Sequence, residues 1–314
     1  MAAVRLPNRL KKERREIVPS LEQSATPKES ATVILVRNKS ADSWEVFLAR
    51  RHRDQSFMAN AYVFPGGQIA LADTDERLND HISKPDHFNP QALLQDNGLT
   101  LKAAQSFFIC AIRETFEEAG VLIALASDGL PLAFDPDQEN ARFDVYRHEL
   151  NAGRMTLGDI ARKENLLFPL DALIPYAHWI TPEISPKRFS TRFFLSRLPE
   201  SQLTTTDCKE LTDYLWATPG DILQMHSSRE IILMPPTLKI LEELRAFLSL
   251  DTLFSATRSR AIYPILPQLS GNILKLPHDP EYSIEKFKKP AHPDEPSRMI
   301  FTDGIWQTGF CPNI

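Results

Sequence analysis

From about residue 31 the apolar positions fall into short β-rich runs. "ATVILVRN" and "WEVFLARR" are separated by the polar "KSADS", a spacing that predicts a hairpin. A further strand, "AYVFPGG", closes on Pro65-Gly66-Gly67, which marks a sharp turn. Residues 74 to 99 mix prolines, aspartates and asparagines with little periodicity and read as an excursion from the core. Thr100 then offers an N-cap, and "LKAAQSFFICAIRETFEEA" runs without Gly or Pro until Gly120 supplies a C-cap. Residues 124 to 155 read as irregular, ending before a short helix in "MTLGDIARKENL".

Two strands are expected next, in "LIPYAHWITP" and in "KRFSTRFFLSRL", where Phe189, Phe193 and Leu195 fall on alternating positions. "ELTDYLWAT" is another strand candidate, followed by a helical "DILQMH". "PPTLKILEELRAFLSL" reads as a helix with Leu238, Leu241, Leu244 and Leu248 on one face. From about residue 260 the chain is proline-rich yet keeps Ile, Leu, Trp and Phe, which suggests an extension packed on the domain.

The 314 residues suffice for one large domain with extensions. Hydrophobic residues make up 42% and charged residues 25%, with a formal net charge of −5. The balance speaks against a nucleic-acid-binding surface, so an anionic substrate would need a local cation or a few arginines. Three widely spaced cysteines, Cys110, Cys208 and Cys311, argue against a disulfide framework or zinc site and fit a reducing compartment. The basic stretch 1–29 lacks the apolar centre of a secretory signal and reads as a flexible arm, and no run of about 18 apolar residues is present. A cytoplasmic protein without membrane partners is the default expectation.

The chemistry concentrates in "ICAIRETFEEAGVLI". On a helix, Glu114, Glu117 and Glu118 stand as i, i+3 and i+4 on one face, while Phe108, Ile112, Phe116 and Ala119 fall on the other. Like charges so placed repel by a few tenths of a kcal/mol per pair (~0.2–0.5). A hard divalent cation would reverse that penalty. The bland alternative is a solvated acidic face in which Arg113 joins a salt bridge. Upstream, "FPGG" ends a strand and Asp73 follows Gly67 by six residues.

These residues resemble the nudix hydrolase signature, GX5EX7REUXEEXGU with U a bulky aliphatic residue. "RETFEEAGV" supplies Arg113, Glu114, Glu117, Glu118, Gly120 and Val121, and "GGQIALAD" supplies Gly67 and puts Asp73 where the family has glutamate. The chain departs from the signature in Asp73, in Thr115 at an aliphatic position, and in the 39 residues, 74 to 112, that replace the seven between glutamate and arginine. An interrupted box is itself a feature of the insertion-bearing, peroxisomal-type nudix coenzyme A diphosphatases. "SFMANAYVFPGG", "AHWITP", "RFSTRFFL", "YLWATP" and "LMPPTLKILEEL" are similar to that branch, so the resemblance spans about residues 31 to 250. The fuller coenzyme A signature of other nudix enzymes is only partly filled, with Asn60 where glycine is expected.

The resemblance implies an α/β fold, a mixed sheet sandwiched between helices, with an insertion at about 74–99 inside a domain of 30–250 and a C-terminal helical extension over 251–314. It implies Mg2+- or Mn2+-dependent hydrolysis of a diphosphate, with coenzyme A or an acyl-coenzyme A the leading substrate and 3',5'-ADP and 4'-phosphopantetheine the products. NADH or ADP-ribose hydrolysis, and an inactive ligand-binding module, are the alternatives. Glu114, Glu117 and Glu118 would be the metal ligands, joined by the Gly67 carbonyl, with Arg113 orienting a glutamate. Asp73 would hold the helix or have no catalytic part. The general base is a box glutamate or a residue of a distant loop, with Glu210 a candidate beside its reading as an exposed strand-end carboxylate.

Arg50, Arg51, Arg188 and Arg192 are candidates for substrate phosphates, each equally readable as an ordinary surface arginine. Phe57, Phe64, Trp179 and Trp216 are candidate pocket walls that read more readily as core. His52, His178 and His226 lack ligand spacing. The excursion could gate the pocket, mediate a homodimer or simply be tolerated.

Overall fold

The computed structural model describes residues 25–40, 42–52, 60–134, 139–205, 211–292 and 294–312. Strands β1 (Lys28–Ser40) and β2 (Ser43–Arg51) form the expected antiparallel hairpin. Their apolar runs are continuous because both faces of the sheet are covered. Ala31, Val33 and Leu35 enter one core, whereas Ile34 and Val36 enter the other. The "AYVFPGG" stretch becomes two short strands, β3 (Ala61–Val63) and β4 (Gly66–Gln68), because the turn at Pro65 swings the chain from β2 to the far end of β1.

The excursion is more ordered than its composition suggests. A 3-10 turn at Leu71–Thr74 leads into it, and it contains a second at Glu76–His81, strand β5 (Ile82–Ser83) and a single-turn helix α1 (Pro90–Leu93) capped by Asn89. Leu78 and Leu94 anchor it in the core. Arg192 clasps it from the sheet by donating to the Leu94 carbonyl at 3.2 Å and pairing with Asp96 at 2.5 Å.

Helix α2 (Leu101–Ala119) starts and stops where its caps predict. The Thr100 hydroxyl accepts from Ala103 N–H, and Gly120 takes the left-handed conformation at φ 71°. Phe107, Phe108, Ile109, Ile112 and Phe116 are buried against the sheet, each contributing about 1.5–3 kcal/mol relative to exposure. The hydroxyl of Thr115, wholly buried at a position where an aliphatic side chain was expected, is satisfied within the helix by the Ala111 carbonyl at 2.7 Å.

The stretch 124–155, expected to be irregular, contains α3 (Glu139–Asn151). Its buried stripe is narrow, Phe143, Arg147 and Leu150, and one of the three is charged, which hides the periodicity. Helix α4 (Leu157–Glu164) follows with Thr156 as N-cap, and β6 (Phe168–Pro169) pairs with β5. Strands β7 (Ile174–Ile180), β8 (Phe189–Arg197) and β9 (Leu211–Ala217) and helix α5 (Pro219–Ser227) lie where the pattern places them.

After β10 (Ile232–Leu233), helix α6 (Pro235–Leu244) buries Leu238, Leu241 and Leu244 but not Leu248. The helix is capped at Arg245 and the chain turns so that Trp44 can donate to the Phe247 carbonyl, which leaves Leu248 88% exposed.

The C-terminal extension begins helical, in α7 (Leu250–Arg258), and then turns to β structure. β11 (Pro264–Ile265) pairs with β7, and β12 (Gln268–Ser270), β13 (Ile273–Lys275), β14 (Arg298–Thr302) and β15 (Ile305–Gly309) make an antiparallel meander. The buried Arg298–Asp279 pair, 2.7 Å, pins its long loop.

Among the described residues the main sheet runs β10-β3-β2-β1-β8-β7-β11, with β9 added on β2 and β4 on β1. β1 and β8 are parallel while most other pairs are antiparallel. α2 covers one face, and α5, α6 and α7 cover the other. This is the mixed sheet between helical layers that the resemblance implied. None of the described helices is long and apolar enough to cross a membrane.

Candidate active site

Strand β4 is the hinge of the site. Its Gly66 and Gly67 pass between β1 and the acidic face of α2 so closely that a side chain on Gly66 would meet the β1 backbone and one on Gly67 would displace the Glu114 carboxylate. A Cβ on Gly67 would lie 2.3 Å from Oε1 of Glu114, and one on Gly66 would lie 2.5 Å from the Ala31 carbonyl. The Gly66 N–H donates to Oε2 of Glu118 at 2.8 Å, and the buried Cys110 thiol donates to the Gly67 carbonyl at 3.6 Å.

Arg113 organises the carboxylates. Its Nη1 donates to Glu114 at 2.7 Å and to Glu117 at 2.6 Å. On its other side, Nε and Nη2 meet both oxygens of Asp73 at 2.8 and 2.9 Å, and Nη2 also reaches the Gln68 carbonyl at 2.9 Å. Burial opposes the charge on Arg113, but the bond to Asp73 and the charge of Glu114 outweigh it and raise its pKa. The guanidinium is thus a fixed brace inside the acidic cluster.

Asp73 is buried, and it also accepts from Ala70 N–H at 2.8 Å. The two halves of the interrupted box therefore close on each other in space, and the excursion leaves and returns beside them. The far end of α2 is held by α3, where Arg147 donates to the Glu117 carbonyl at 2.8 Å and to the Thr205 hydroxyl at 2.8 Å.

The acidic face opens into a cleft of about 760 Å3. Arg113, Glu114, Glu117, Glu118, Gly66 and Gly67 line one end. The cleft then crosses the polar end of the sheet, where Ser30, Thr32, Thr191 and Trp179 lie in register with β4. Burial pushes the Glu114 carboxyl up to about 7, with the charge of Glu117 adding to it and Arg113 opposing it.

Among the described residues no three Asp, Glu, His or Cys side chains form a ready-made metal cage. The donor set nonetheless fits a hard divalent cation. Glu114 and Glu117 meet at Nη1 of Arg113 and Glu118 sits on the Gly66 N–H, so all three offer carboxylate oxygens from one helix face to one cleft. Mg2+ keeps several of its own waters and does not require an all-protein cage.

The substrate candidates separate. Arg51 and Phe64 line the cleft, Phe64 being also a core residue packed edge-on to Phe193 at 6.4 Å. Arg50 and Arg188 are not among the lining residues. Arg188 is buried and donates to the Thr181 and Ala25 carbonyls at 3.1 and 2.9 Å, holding the entry to β1 against β8. Arg192, as described, grips the excursion.

Trp179 faces the cleft, whereas Trp216 donates to the Thr204 hydroxyl and stacks under Arg37. His178 and His226 are buried and engaged with Ser190 and with the backbone of Ile231, Leu233 and Trp306. Glu210, Phe57 and residues 1–24 of the N-terminal arm lie outside the described residues.

The pattern did not point to the opposite wall, built from Met234, Pro235 and Pro236 at the start of α6 and from Leu269, Leu274 and Trp306 of the meander. Only the retention of large apolar residues in a proline-rich tail hinted at it.

Comparison with known proteins finds relatives over most of the chain. The chain is 27% identical over 288 residues to acyl-coenzyme A diphosphatase NUDT19 of Xenopus laevis, covering 80% of this chain and 76% of the relative. With the protein of the same name from Homo sapiens it shares 29% over 257 residues, covering 72% and 67% respectively. The crystal structure of a nudix hydrolase from Alicyclobacillus acidocaldarius superposes with a TM-score of 0.59 at 26% identity, covering 76% of this chain and 99% of that one. The model of the NUDT19 Nudix domain matches residues 27–244, a span that contains the split carboxylate box, and the chain belongs to this family of nudix hydrolases.

Proposed function

We propose that the protein hydrolyses the diphosphate bond of coenzyme A or an acyl-coenzyme A, with Mg2+ or Mn2+ held by Glu114, Glu117 and Glu118 and the Gly67 carbonyl. The observation that carries this reading is the face of α2, where Glu114 and Glu117, braced by Arg113, and Glu118, held by the Gly66 N–H, open into a cleft large enough for a nucleotide derivative. The names of the curated relatives support the choice of substrate.

When bound, the divalent cation neutralises charge on the diphosphate and polarises the phosphorus centre. The chain's own residues do the positioning. Arg113 fixes Glu114 and Glu117, Asp73 fixes Arg113, and the Gly66 N–H fixes Glu118. Arg51 lines the cleft wall, and in this reading it would meet a substrate phosphate. Water attacks one phosphorus, the P–O–P bridge breaks, and 3',5'-ADP and 4'-phosphopantetheine leave, the latter acylated where the substrate is.

The test is mass spectrometry of products after incubation with coenzyme A, acetyl-coenzyme A, NADH and ADP-ribose, each with Mg2+, Mn2+ or EDTA. Metal-dependent 3',5'-ADP is the expected result. Turnover of NADH or ADP-ribose alone would overturn the substrate, and 3',5'-ADP production undiminished in EDTA would overturn the metal.

A further inference from the structure

Helix α6 is built differently at the end that meets the cleft. Helices α2, α4, α5 and α7 each close their first turn with a hydroxyl, that of Thr100, Thr156, Thr218 or Ser249, which accepts from a backbone N–H. α6 begins at Met234, which has no side-chain oxygen to offer, and prolines fill its first two positions. A proline carries no N–H. Thr237, the third residue, therefore holds the first N–H inside the helix, and no side chain caps it.

The Thr237 side chain is only 5% exposed, yet it lines the cleft. Its hydroxyl has no hydrogen-bond partner among the described residues. Polar groups buried to this degree normally have one. Thr115 and Thr257, also buried within helices, satisfy theirs on the carbonyls four residues back, each at 2.7 Å. Thr237 instead leaves its hydroxyl to the cleft. An unbonded hydroxyl, an uncapped N–H and the positive end of a ten-residue helix thus lie together on the wall, which is the chemistry of an anion site.

Strand β10 sets where this site stands. Leu233 is the register partner of Tyr62 on β3, so the chain enters α6 at the end of β3 that leads through Val63 and Phe64 to Gly66. Gly66 holds Glu118, and both line the same cleft as Thr237. The carboxylates of α2 and the first turn of α6 form opposite walls. A diphosphate carried on a cation at the carboxylates leaves the α6 wall to a different anion of the same ligand.

We infer that the first turn of α6, through Thr237, is a phosphate-monoester subsite that receives a phosphate separate from the diphosphate being cleaved. The inference rests on the coenzyme A reading above, in which that group is the phosphate on the 3' oxygen of the ribose, one sugar away from the scissile bridge. NADH and ADP-ribose carry no such phosphate, so the subsite selects against them. Thr237 is then a specificity-determining residue with no part in the chemical step.

The test compares kcat/KM for coenzyme A and 3'-dephospho-coenzyme A, and the inhibition constants of 3',5'-ADP and 5'-AMP, in the full chain and in its Thr237→Val, Thr237→Ala and Thr237→Ser variants. A hydrogen bond to a charged group is worth about tenfold to a hundredfold, so the intact protein should prefer coenzyme A by at least about tenfold. That preference should fall about tenfold in Thr237→Val, which keeps the side-chain shape, and stay within about threefold of the parent in Thr237→Ser. In Thr237→Val, 3',5'-ADP should weaken relative to 5'-AMP by the same factor. Without ligand, Tm should move by less than about 2 °C, because the hydroxyl bonds to nothing in the protein. Thr237→Ala supplies the same comparison if valine disturbs the turn. A parallel loss for both substrates would overturn the inference by placing Thr237 against the shared diphosphate, and equal kcat/KM for the two substrates in the intact chain would overturn it as well. Absence of coenzyme A turnover by the intact chain would instead remove the coenzyme A reading itself, and this inference with it.

Discussion

Replacing Asp73 with alanine should destabilise the protein strongly. The Asp73 side chain is 1% exposed and that of Arg113 is 9% exposed, and they share two bonds of 2.8 and 2.9 Å. Breaking a buried pair by deleting one partner costs about 3–5 kcal/mol, because the other charge stays buried. Here Arg113 keeps Glu114, Glu117 and the Gln68 carbonyl, which argues for the lower end, about 3 kcal/mol. Ala70 N–H also loses its acceptor, adding about 1 kcal/mol at most. At about 2 °C per kcal/mol for a chain of this size, Tm should fall by about 6–8 °C. Scanning calorimetry in EDTA isolates this effect from any bound cation. A Tm within about 1 °C of the parent, accompanied by weakened Mn2+ binding, would refute the reasoning and make Asp73 a cation ligand.

A Gly67→Ala change places a methyl 2.3 Å from Oε1 of Glu114 and pushes that carboxylate aside, so turnover should drop at least about tenfold while Tm falls only slightly; steady-state kinetics and calorimetry on the same sample decide it. Gly120→Ala should cost about 1–3 kcal/mol, read from urea unfolding, since φ is 71° and the added carbon would lie 2.6 Å from the Thr205 hydroxyl. His178 is buried, and burial first and then the charge of Arg192 depress its pKa from 6.5 to about 3. Between those values the unfolded chain binds a proton that the folded one does not, so this contribution is complete above pH 6.5 and declines as pH falls. The slope is at most about 1.4 kcal/mol per pH unit. Urea midpoints at pH 7 and pH 5 should therefore differ more in the parent than in His178→Asn.

The local rules carried the elements whose signals lie within a few residues. Thr100 and Gly120 bound α2 because caps act on the nearest turn, and the "KSADS" hairpin and Thr156 behave likewise. The same spacing put Glu114, Glu117 and Glu118 together, and Arg113 beside them. What no local pattern contains is a partner far along the chain. Asp73 meets Arg113 across the excursion, Arg192 turns to Leu94 and Asp96 instead of to the cleft, and Arg188 closes on Ala25. Helix α3 escaped because Arg147 sits in its buried stripe, bonded to a carbonyl of α2. Leu248 kept the helical period after the helix had ended, since periodicity cannot see the turn that lets Trp44 reach Phe247. The cleft wall at Trp306 depends on the meander folding back over α6, a contact set by packing alone.

The central claim is that the split box assembles into a working hydrolytic centre. It is tested most directly by coenzyme A hydrolysis with Mg2+ in the parent and in Glu117→Gln, with Tm measured on both. Loss of at least about a hundredfold in turnover at a Tm shift under about 2 °C is the predicted result. Full activity in the folded variant would contradict it.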